Sequence, residues 1–309
     1  MNRAPLPFGR GFQWALSPLT VATYRDSFAA VESWCRCYGL DPLSPEGLRW
    51  YVATHQDLAL ATLRLRVAAV NRVCHERGRV PAGYRWGVIV LLKALARRRR
   101  GTRQKQAFAL TVATLTQING GAPMTDLHGL DALDRTKLRR LRDVALILVS
   151  FAGAFRPIAV TSIYIEDARR LDDGTWRLWI RHDKTHPTGF AREVGHTRGH
   201  DQTCPGCRID ELVAALRQRG IEKGPLFSPL SSDGSWSGKC LRIADVGKIL
   251  KRLARDAGLS HLCISGRSPR RGAAQTASRG GATLGEVKEL LGDRTDSAAR
   301  RYLDGGEGR

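Results

Sequence analysis

The chain has 309 residues, of which 50 are Lys or Arg and 29 are Asp or Glu, so its formal net charge is +21 at pH 7. An excess of this size favours a polyanionic partner. Hydrophobic residues make up 42% of the chain, which is enough to give each of two ordinary domains its own core and excludes a disordered basic tail.

A membrane surface is less favoured than nucleic acid as the polyanionic partner. The most continuous apolar stretch, residues 144–155, is well short of the roughly 20 residues that span a bilayer. The first 18 residues lack the apolar segment and cleavage site of a secretory signal, so we expect a cytoplasmic protein with its seven cysteines reduced. Nucleic acid is the expected partner, because Lys and Arg that neutralise phosphates release counterions.

Apolar residues recur at helical spacing in residues 20–39 and again in residues 61–78, where Gly39 and Gly78 supply the stops. Arg64 and Arg66 lie off the second apolar stripe and are candidate DNA contacts. A solvated helix face is the alternative for any single arginine. The predicted buried faces are Tyr24, Phe28, Val31 and Cys35 in the first helix, and Leu63, Val67, Val70 and Cys74 in the second.

A dense basic run occupies residues 93–106, and a new helix start follows at Thr111. We therefore predict a helical DNA-binding domain over residues 1–100, a basic linker over 101–110 and a second domain over 111–309. Such a linker either solubilises the chain or, in a protein that bridges two DNA-bound halves, follows phosphates. The candidate DNA contacts of this run are Arg97, Arg98, Arg99, Arg100, Arg103 and Lys105.

The second domain begins with a predicted buried helix that ends between Gly153 and Pro157. Trp176, Leu178 and Ile180 then alternate with polar residues, which is typical of a strand. The remainder is mostly helical by its period. The predicted fold class is mainly α with a small β-sheet.

Several segments of the second domain, in their order along the chain, resemble the tyrosine recombinase (phage integrase) family, and the two N-terminal helices resemble the family's core-binding half. FAGAFRPIAV is similar to the helix end that carries the first active-site arginine, IRHDKTHPTG to the hairpin with a lysine, ISGRSPRRGAAQ to the HxxR box, and RRYLDG to the nucleophile segment. The resemblance implies a helical core-binding domain and an α+β catalytic domain that clamp duplex DNA. The residues it implies are Arg156, Lys184, Arg270 and Tyr302, with Arg271 as a further DNA contact.

The implied activity is cleavage and rejoining of DNA at a specific site through a 3′-phosphotyrosine, as in integration or excision. Two guanidiniums would stabilise charge on the phosphate oxygens, and Lys184 would protonate the leaving 5′ oxygen. No cofactor is required, and self-association on DNA is expected. Taken singly, Arg156 could instead cap a helix, Lys184 could lie on a solvated turn and Tyr302 could anchor the last helix.

Three positions depart from the family pattern. Arg267 replaces the histidine of the HxxR box; as a candidate catalytic residue it can still donate to a phosphate oxygen, but it cannot act as a base near neutral pH. Asp293 stands where the family has His or Trp, and its charge would repel phosphate unless a cation pairs with it. Ala159 replaces an acidic residue, so one ordering carboxylate is absent. The alternative function is a recombinase-fold regulator with weak or no cleavage; a DNA-packaging or RNA-binding protein would explain the charge alone.

The segment HTRGHDQTCPGC contains residues with the types and spacing of zinc ligands. The alternative is two exposed loop histidines and two cysteines at a helix start. We assign no metal on this basis and keep zinc as a second possibility. The four residues concerned are His196, His200, Cys204 and Cys207.

Overall fold

A computed structural model of the protein describes residues 17–99, 106–120, 135–231 and 233–303. The chain forms two compact units, Met1–Gln104 and Lys105–Arg309, whose boundary falls at the basic run. Three of the predicted DNA contacts, Arg100, Arg103 and Lys105, lie outside the described residues.

The first unit is helical throughout its described part. Ser17 and Ser44 each accept a backbone N–H at a helix start, and a proline follows each of them at the first helical position, where its missing N–H costs nothing. The four helices are α1 (Pro18–Cys37), α2 (Pro45–Thr54), α3 (Leu60–Glu76) and α4 (Trp86–Arg98).

The faces predicted for the first and third helices form the centre of this unit's core. Phe28 and Val31 of α1 pack with Leu63 and Val70 of α3, and each is at most 2% exposed. Tyr24 is only partly buried at the edge of the same core. The helical period thus identified the buried faces because these helices each have one polar side.

The second unit is also mainly helical and contains one small sheet, as predicted. Thr111 is the N-cap of its first helix, where its side chain and that of Thr114 form a reciprocal capping box. The elements in chain order are α5 (Val112–Asn119), α6 (Arg135–Ala152), α7 (Pro157–Val160), β1 (Ile163–Arg170), β2 (Trp176–Ile180), β3 (Phe190–Val194), α8 (Pro205–Arg217), α9 (Ile243–Asp256), α10 (Ser268–Arg279), α11 (Leu284–Leu291) and α12 (Asp296–Leu303).

The sheet is antiparallel in the order β1-β2-β3. Trp176, Leu178 and Ile180 of β2 are buried and the two residues between them are exposed, so the predicted alternation is confirmed. In the β2–β3 hairpin, Trp176 pairs with Val194 at one end and Ile180 with Phe190 at the other. The connection that contains Lys184 therefore lies at the Ile180 end.

Two apolar clusters hold the second unit together. The larger surrounds the buried helix α6, against which α8 packs. The smaller is built mainly from short side chains of α10, α11 and α12, and Tyr302 packs at its edge. Short side chains let these three helices approach closely, which places the ends of α10 and α12 near each other.

The start of α10 is fixed by the strand-like segment before α5. The N–H of Leu110 donates to the carbonyl of Ser268 at 3.2 Å, and a Cβ on Gly272 would lie 1.9 Å from the Leu110 carbonyl oxygen. Only glycine permits this approach, which positions the neighbouring Arg270. Over the described ranges, no helix combines the length and apolar character needed to cross a bilayer.

Candidate active site

Arg156 lies in the tight connection between α6 and α7. The helix α6 ends at Ala152, Ala154 adopts a left-handed φ of 48°, and Pro157 starts α7. The extended Arg156 is the N-cap of α7, and its guanidinium donates to Asp183 Oδ2 at 2.8 Å and to Asp293 Oδ1 at 2.5 Å. It therefore links two loops rather than capping the carbonyls of a helix end.

Arg270 lies in the first turn of α10 and is 2% exposed. Its guanidinium donates to the carbonyl oxygens of Ala154 at 2.7 Å and Leu291 at 2.6 Å, which belong to the ends of α6 and α11. It also donates to Asp293 Oδ1 at 3.0 Å. Burial lowers the pKa of Arg270, and the charge of neighbouring Arg156 acts in the same direction, while Tyr302 and Asp293 raise it.

Asp293 is shared by both guanidiniums. It follows Gly292, whose left-handed φ of 57° ends α11 and turns the chain back toward α10. Oδ1 accepts from Arg156 and Arg270, whereas the buried Oδ2 has no hydrogen-bond partner among the described residues. Asp293 was expected to need a cation as partner, and the two candidate catalytic arginines supply it. The neighbouring Arg294 instead donates to the carbonyl of Thr185.

Asp183 is the second carboxylate of the cluster, and sequence reasoning missed it. It lies in the β2–β3 connection and accepts from Arg156, from the hydroxyl of Thr185 at 2.6 Å and from the N–H of Thr185 at 3.0 Å. Burial by itself would raise the pKa of Asp183, but these hydrogen bonds and the charge of Arg156 lower it to about 2. An ordering carboxylate therefore comes from the hairpin, although Ala159 is apolar and buried.

Tyr302 is half-buried in α12, next to the second arginine. The Arg270 guanidinium carbon lies 5.1 Å from the centre of the Tyr302 ring. The side chain of Gln275 in α10 donates to the Tyr302 carbonyl at 3.2 Å. The ring thus packs α12 against the smaller apolar cluster and also lies beside the Arg270 guanidinium, so both interpretations of Tyr302 fit its position.

Lys184 and Arg267 do not join this cluster. Both side chains are exposed, and neither has a partner among the described residues. Lys184 directly follows Asp183 in the hairpin connection, and Arg267 precedes the first turn of α10. Each is placed at the edge of the cluster, where it can meet an incoming anion.

A third guanidinium, Arg192 of β3, lines the small cavity between these side chains. It donates to the Leu290 carbonyl at 3.2 Å, and its Nε is buried without a partner among the described atoms. Burial lowers the pKa of Arg192. Its position in a strand that also carries exposed charges gave no sequence signal for this role.

The predicted DNA contacts differ in their surroundings. Arg64, Arg97 and Arg98 are exposed. Arg66 donates to the Tyr51 hydroxyl, and Arg99 donates to the carbonyl oxygens of Gln56 and Leu58. Arg271 is 7% exposed within α10. Only the first group projects into solvent as a phosphate contact requires.

The four candidate zinc ligands come together at the opposite end of the β2–β3 hairpin. Cys204 is the N-cap of α8, as expected for a cysteine at a helix start. His196, by contrast, is largely buried against Cys204 and Cys207 and is not an exposed loop residue.

No protein-family model matches the chain. Across 99% of its length it is 26% identical to the "Integrase/recombinase xerD homolog" of Selenomonas ruminantium, of which it covers 87%. It is also 22% identical to "Recombinase cre" of Escherichia phage P1, with 88% of this chain and 79% of that protein aligned. Over nearly its whole length the chain is thus similar in sequence to an integrase/recombinase and to a phage recombinase.

Solved tyrosine recombinases share its fold. A lambda integrase tetramer bound to a Holliday junction matches with a TM-score of 0.62 at 14% identity, covering 97% of this chain and 75% of that one. The Tn1549 transposon integrase in complex with transposon right end DNA also matches with a TM-score of 0.62, at 11% identity over 96% and 92% of the two chains. At such identities the likeness establishes the architecture alone.

Proposed function

We propose that this protein cleaves and rejoins duplex DNA at a specific site through a covalent bond between Tyr302 and a 3′ phosphate. The observation that carries the proposal is the convergence of Arg156, Arg270 and Tyr302, which are far apart in sequence, on one small cluster. Two guanidiniums beside a phenol form a site for a phosphodiester anion and its attacking nucleophile.

The arginines are already arranged to bind oxyanions. Each contacts Asp293 Oδ1, so a carboxylate oxygen holds them where phosphate oxygens would bind. Guanidiniums donate to carboxylate and phosphate oxygens with similar geometry, so a phosphate can take over these donors with little movement of the arginines. Donors fixed before the reaction stabilise the charge that develops on the non-bridging oxygens.

The chemical step is a transesterification. The phenolic oxygen of Tyr302 forms a bond to phosphorus and releases its proton to solvent water, while the bond from phosphorus to the 5′ oxygen breaks and that oxygen gains a proton. Lys184 is the proposed donor of that proton, because its exposed side chain is carried by the hairpin connection next to Asp183. In the reverse step a 5′ hydroxyl attacks phosphorus and releases Tyr302, so the bond energy is conserved and rejoining needs no nucleotide cofactor.

The proposed partner is duplex DNA, on which the protein self-associates. The net charge of +21 supports a polyanion, and exposed Arg64, Arg97 and Arg98 offer phosphate contacts in the first unit. The lambda integrase structure is a tetramer on a Holliday junction, and the Tn1549 integrase structure contains its transposon end. These neighbours support the same partner and the same mode of assembly here.

The experiment is covalent trapping on a nicked duplex that carries the DNA sequence flanking the gene of this protein. Wild type is expected to give an adduct that resists SDS and heat, and Tyr302→Phe is expected to bind the same duplex without forming one. Tyr84→Phe removes an exposed hydroxyl from the first unit and serves as the matched control that keeps the adduct. Specific binding without any wild-type adduct would overturn the cleavage proposal and leave a DNA-binding regulator.

A further inference from the structure

Four potential metal ligands meet where β3 leads into α8. His196 and His200 lie in the connection after β3, Cys204 is the N-cap of α8, and Cys207 lies in its first turn. One ligand atom from each residue, two imidazole nitrogens and two sulfurs, lies within 4.8 Å of all the others.

The separations are close to the edges of a metal-centred tetrahedron. Bonds of about 2.3 Å to sulfur and about 2.0 Å to nitrogen place the ligand atoms of a zinc site roughly 3.3 to 3.8 Å apart. His196 Nδ1 lies 3.4 Å from Cys204 Sγ and 3.4 Å from Cys207 Sγ, and His200 Nδ1 lies 3.2 Å from Cys207 Sγ. Small side-chain adjustments would complete the tetrahedron.

The outer nitrogen of His196 has the partners that a metal-bound histidine usually has. Nε2 lies 3.2 Å from the Gly174 carbonyl oxygen and 3.6 Å from Asp210 Oδ2. An acceptor at Nε2 places the ring proton there and leaves the Nδ1 lone pair facing the sulfurs. Asp210 is held in turn by the indole N–H of Trp176 at 3.1 Å, at the first residue of β2.

The backbone around the sulfurs also fits a ligand role. The N–H groups of Thr197 and Cys207 each lie 3.4 Å from Cys204 Sγ, and such donors stabilise a thiolate. A Cβ on Gly206 would come within 2.8 Å of the His196 ring, so glycine is needed for the ring to approach. His200 has a left-handed φ of 48°, which non-glycine residues rarely adopt, and its ring is turned back toward Cys207.

From this geometry we infer that His196, His200, Cys204 and Cys207 bind one structural Zn²⁺ ion. Three residues separate the two histidines and two residues separate the two cysteines, which is the ligand spacing of structural zinc sites. Four protein ligands leave no open position, so the ion stabilises the fold and takes no part in chemistry. It fastens the end of the β2–β3 hairpin opposite Lys184 to the start of α8. This inference does not rest on the proposed recombination activity.

The test is the metal content of the purified full chain after dialysis against metal-free buffer, measured by mass spectrometry. Wild type is expected to retain close to one zinc per chain, and Cys204→Ser/Cys207→Ser close to none. Serine keeps the N-cap that Cys204 supplies, so the helix start is preserved in this variant. The matched control is Cys240→Ser/Cys263→Ser, which removes two exposed cysteines outside the cluster and keeps the zinc.

A second measurement covers the case in which the double variant does not fold. His200→Asn changes an exposed side chain, and it is expected to weaken metal affinity at least about tenfold while leaving far-UV circular dichroism unchanged. Co²⁺ added to metal-free wild type should give the visible bands of a tetrahedral site with thiolate ligands. Folded, reduced wild type that retains no zinc and gives no such bands would overturn the inference, as would a Cys204–Cys207 disulfide in the isolated protein.

Discussion

The arginine cluster and the His-Cys cluster lie at opposite ends of the β2–β3 hairpin and differ in how they satisfy their polar groups. In the first, the partners are distant in sequence. Arg156 pairs with Asp183, 27 residues away, and with Asp293, 137 residues away, while Arg270 pairs with Asp293, 23 residues away. In the second, all four ligand atoms come from twelve consecutive residues.

This difference has a functional consequence. In the arginine cluster both guanidiniums already contact a shared acceptor, Asp293, which occupies donors that a phosphate would need. The His-Cys cluster instead brings four potential ligand atoms together, and the proposed Zn²⁺ ion would bind all four of them. Under the two proposals, the first cluster exchanges an internal partner for phosphate, whereas the second acquires a metal ion.

The largest effect is expected from breaking the arginine cluster at Arg270. Arg270→Ala removes a buried guanidinium, leaves two carbonyl oxygens without their donor and leaves Asp293 with Arg156 alone, so the free energy of unfolding should fall by about 3 to 5 kcal/mol. Urea denaturation measures this. Exposed Arg267→Ala is the control and should change the free energy of unfolding by less than about 0.5 kcal/mol. An equal decrease in stability in both variants would show that the buried hydrogen bonds of Arg270 contribute little.

Asp293→Asn should separate stability from DNA binding. Replacing the charge shared by Arg156 and Arg270 should reduce the free energy of unfolding by about 2 kcal/mol, and binding to duplex DNA should tighten severalfold because the arginines lose a competing anion. Asp296→Asn, which breaks an exposed pair with Lys288, is the control with the same charge change. If both variants bind DNA equally more tightly, the net charge is responsible and the position of Asp293 is not.

Asp183 predicts an acid-sensitive contribution to stability. Its pKa is lowered from 3.8 to about 2, so the native state gains stability above about pH 4 and loses it as the pH falls from about 4 towards 2. The size is on the order of 2 kcal/mol. Urea unfolding of wild type and Asp183→Asn should differ by this amount at pH 6, and the difference should shrink below pH 4 and vanish only below about pH 2. A difference that does not change with pH would contradict the assignment.

The smallest effects concern the salt dependence of DNA binding. Arg97→Ala/Arg98→Ala removes two exposed guanidiniums and should reduce the slope of log K against log salt by up to about 0.9 for each phosphate that these arginines neutralise. Stability should be nearly unchanged. Arg99→Ala should instead reduce stability, because Arg99 donates to the carbonyls of Gln56 and Leu58. If the double variant has the same slope of log K against log salt as the wild type, α4 does not contact DNA through these two arginines.

The sequence by itself determined several of the helices, among them α1, α3 and α6, as well as the strand β2 and the order of the candidate residues. The apolar period that buries Phe28 and Leu63, the helix start at Thr111 and the alternation at Trp176 are local signals, readable within one or two turns. The resemblance to the recombinase family then pointed to Arg156, Arg270 and Tyr302, which the fold brings to one place.

Only the tertiary structure decided which partners these residues have. Asp183 and Asp293 bind the arginines, Arg66 donates to Tyr51, and one ring nitrogen of His196 faces Asp210. Each of these contacts forms because folding brings distant segments together. An ion pair forms wherever packing brings two charges together, whatever their separation along the chain. The local pattern therefore supplied the candidates, and packing assigned their contacts.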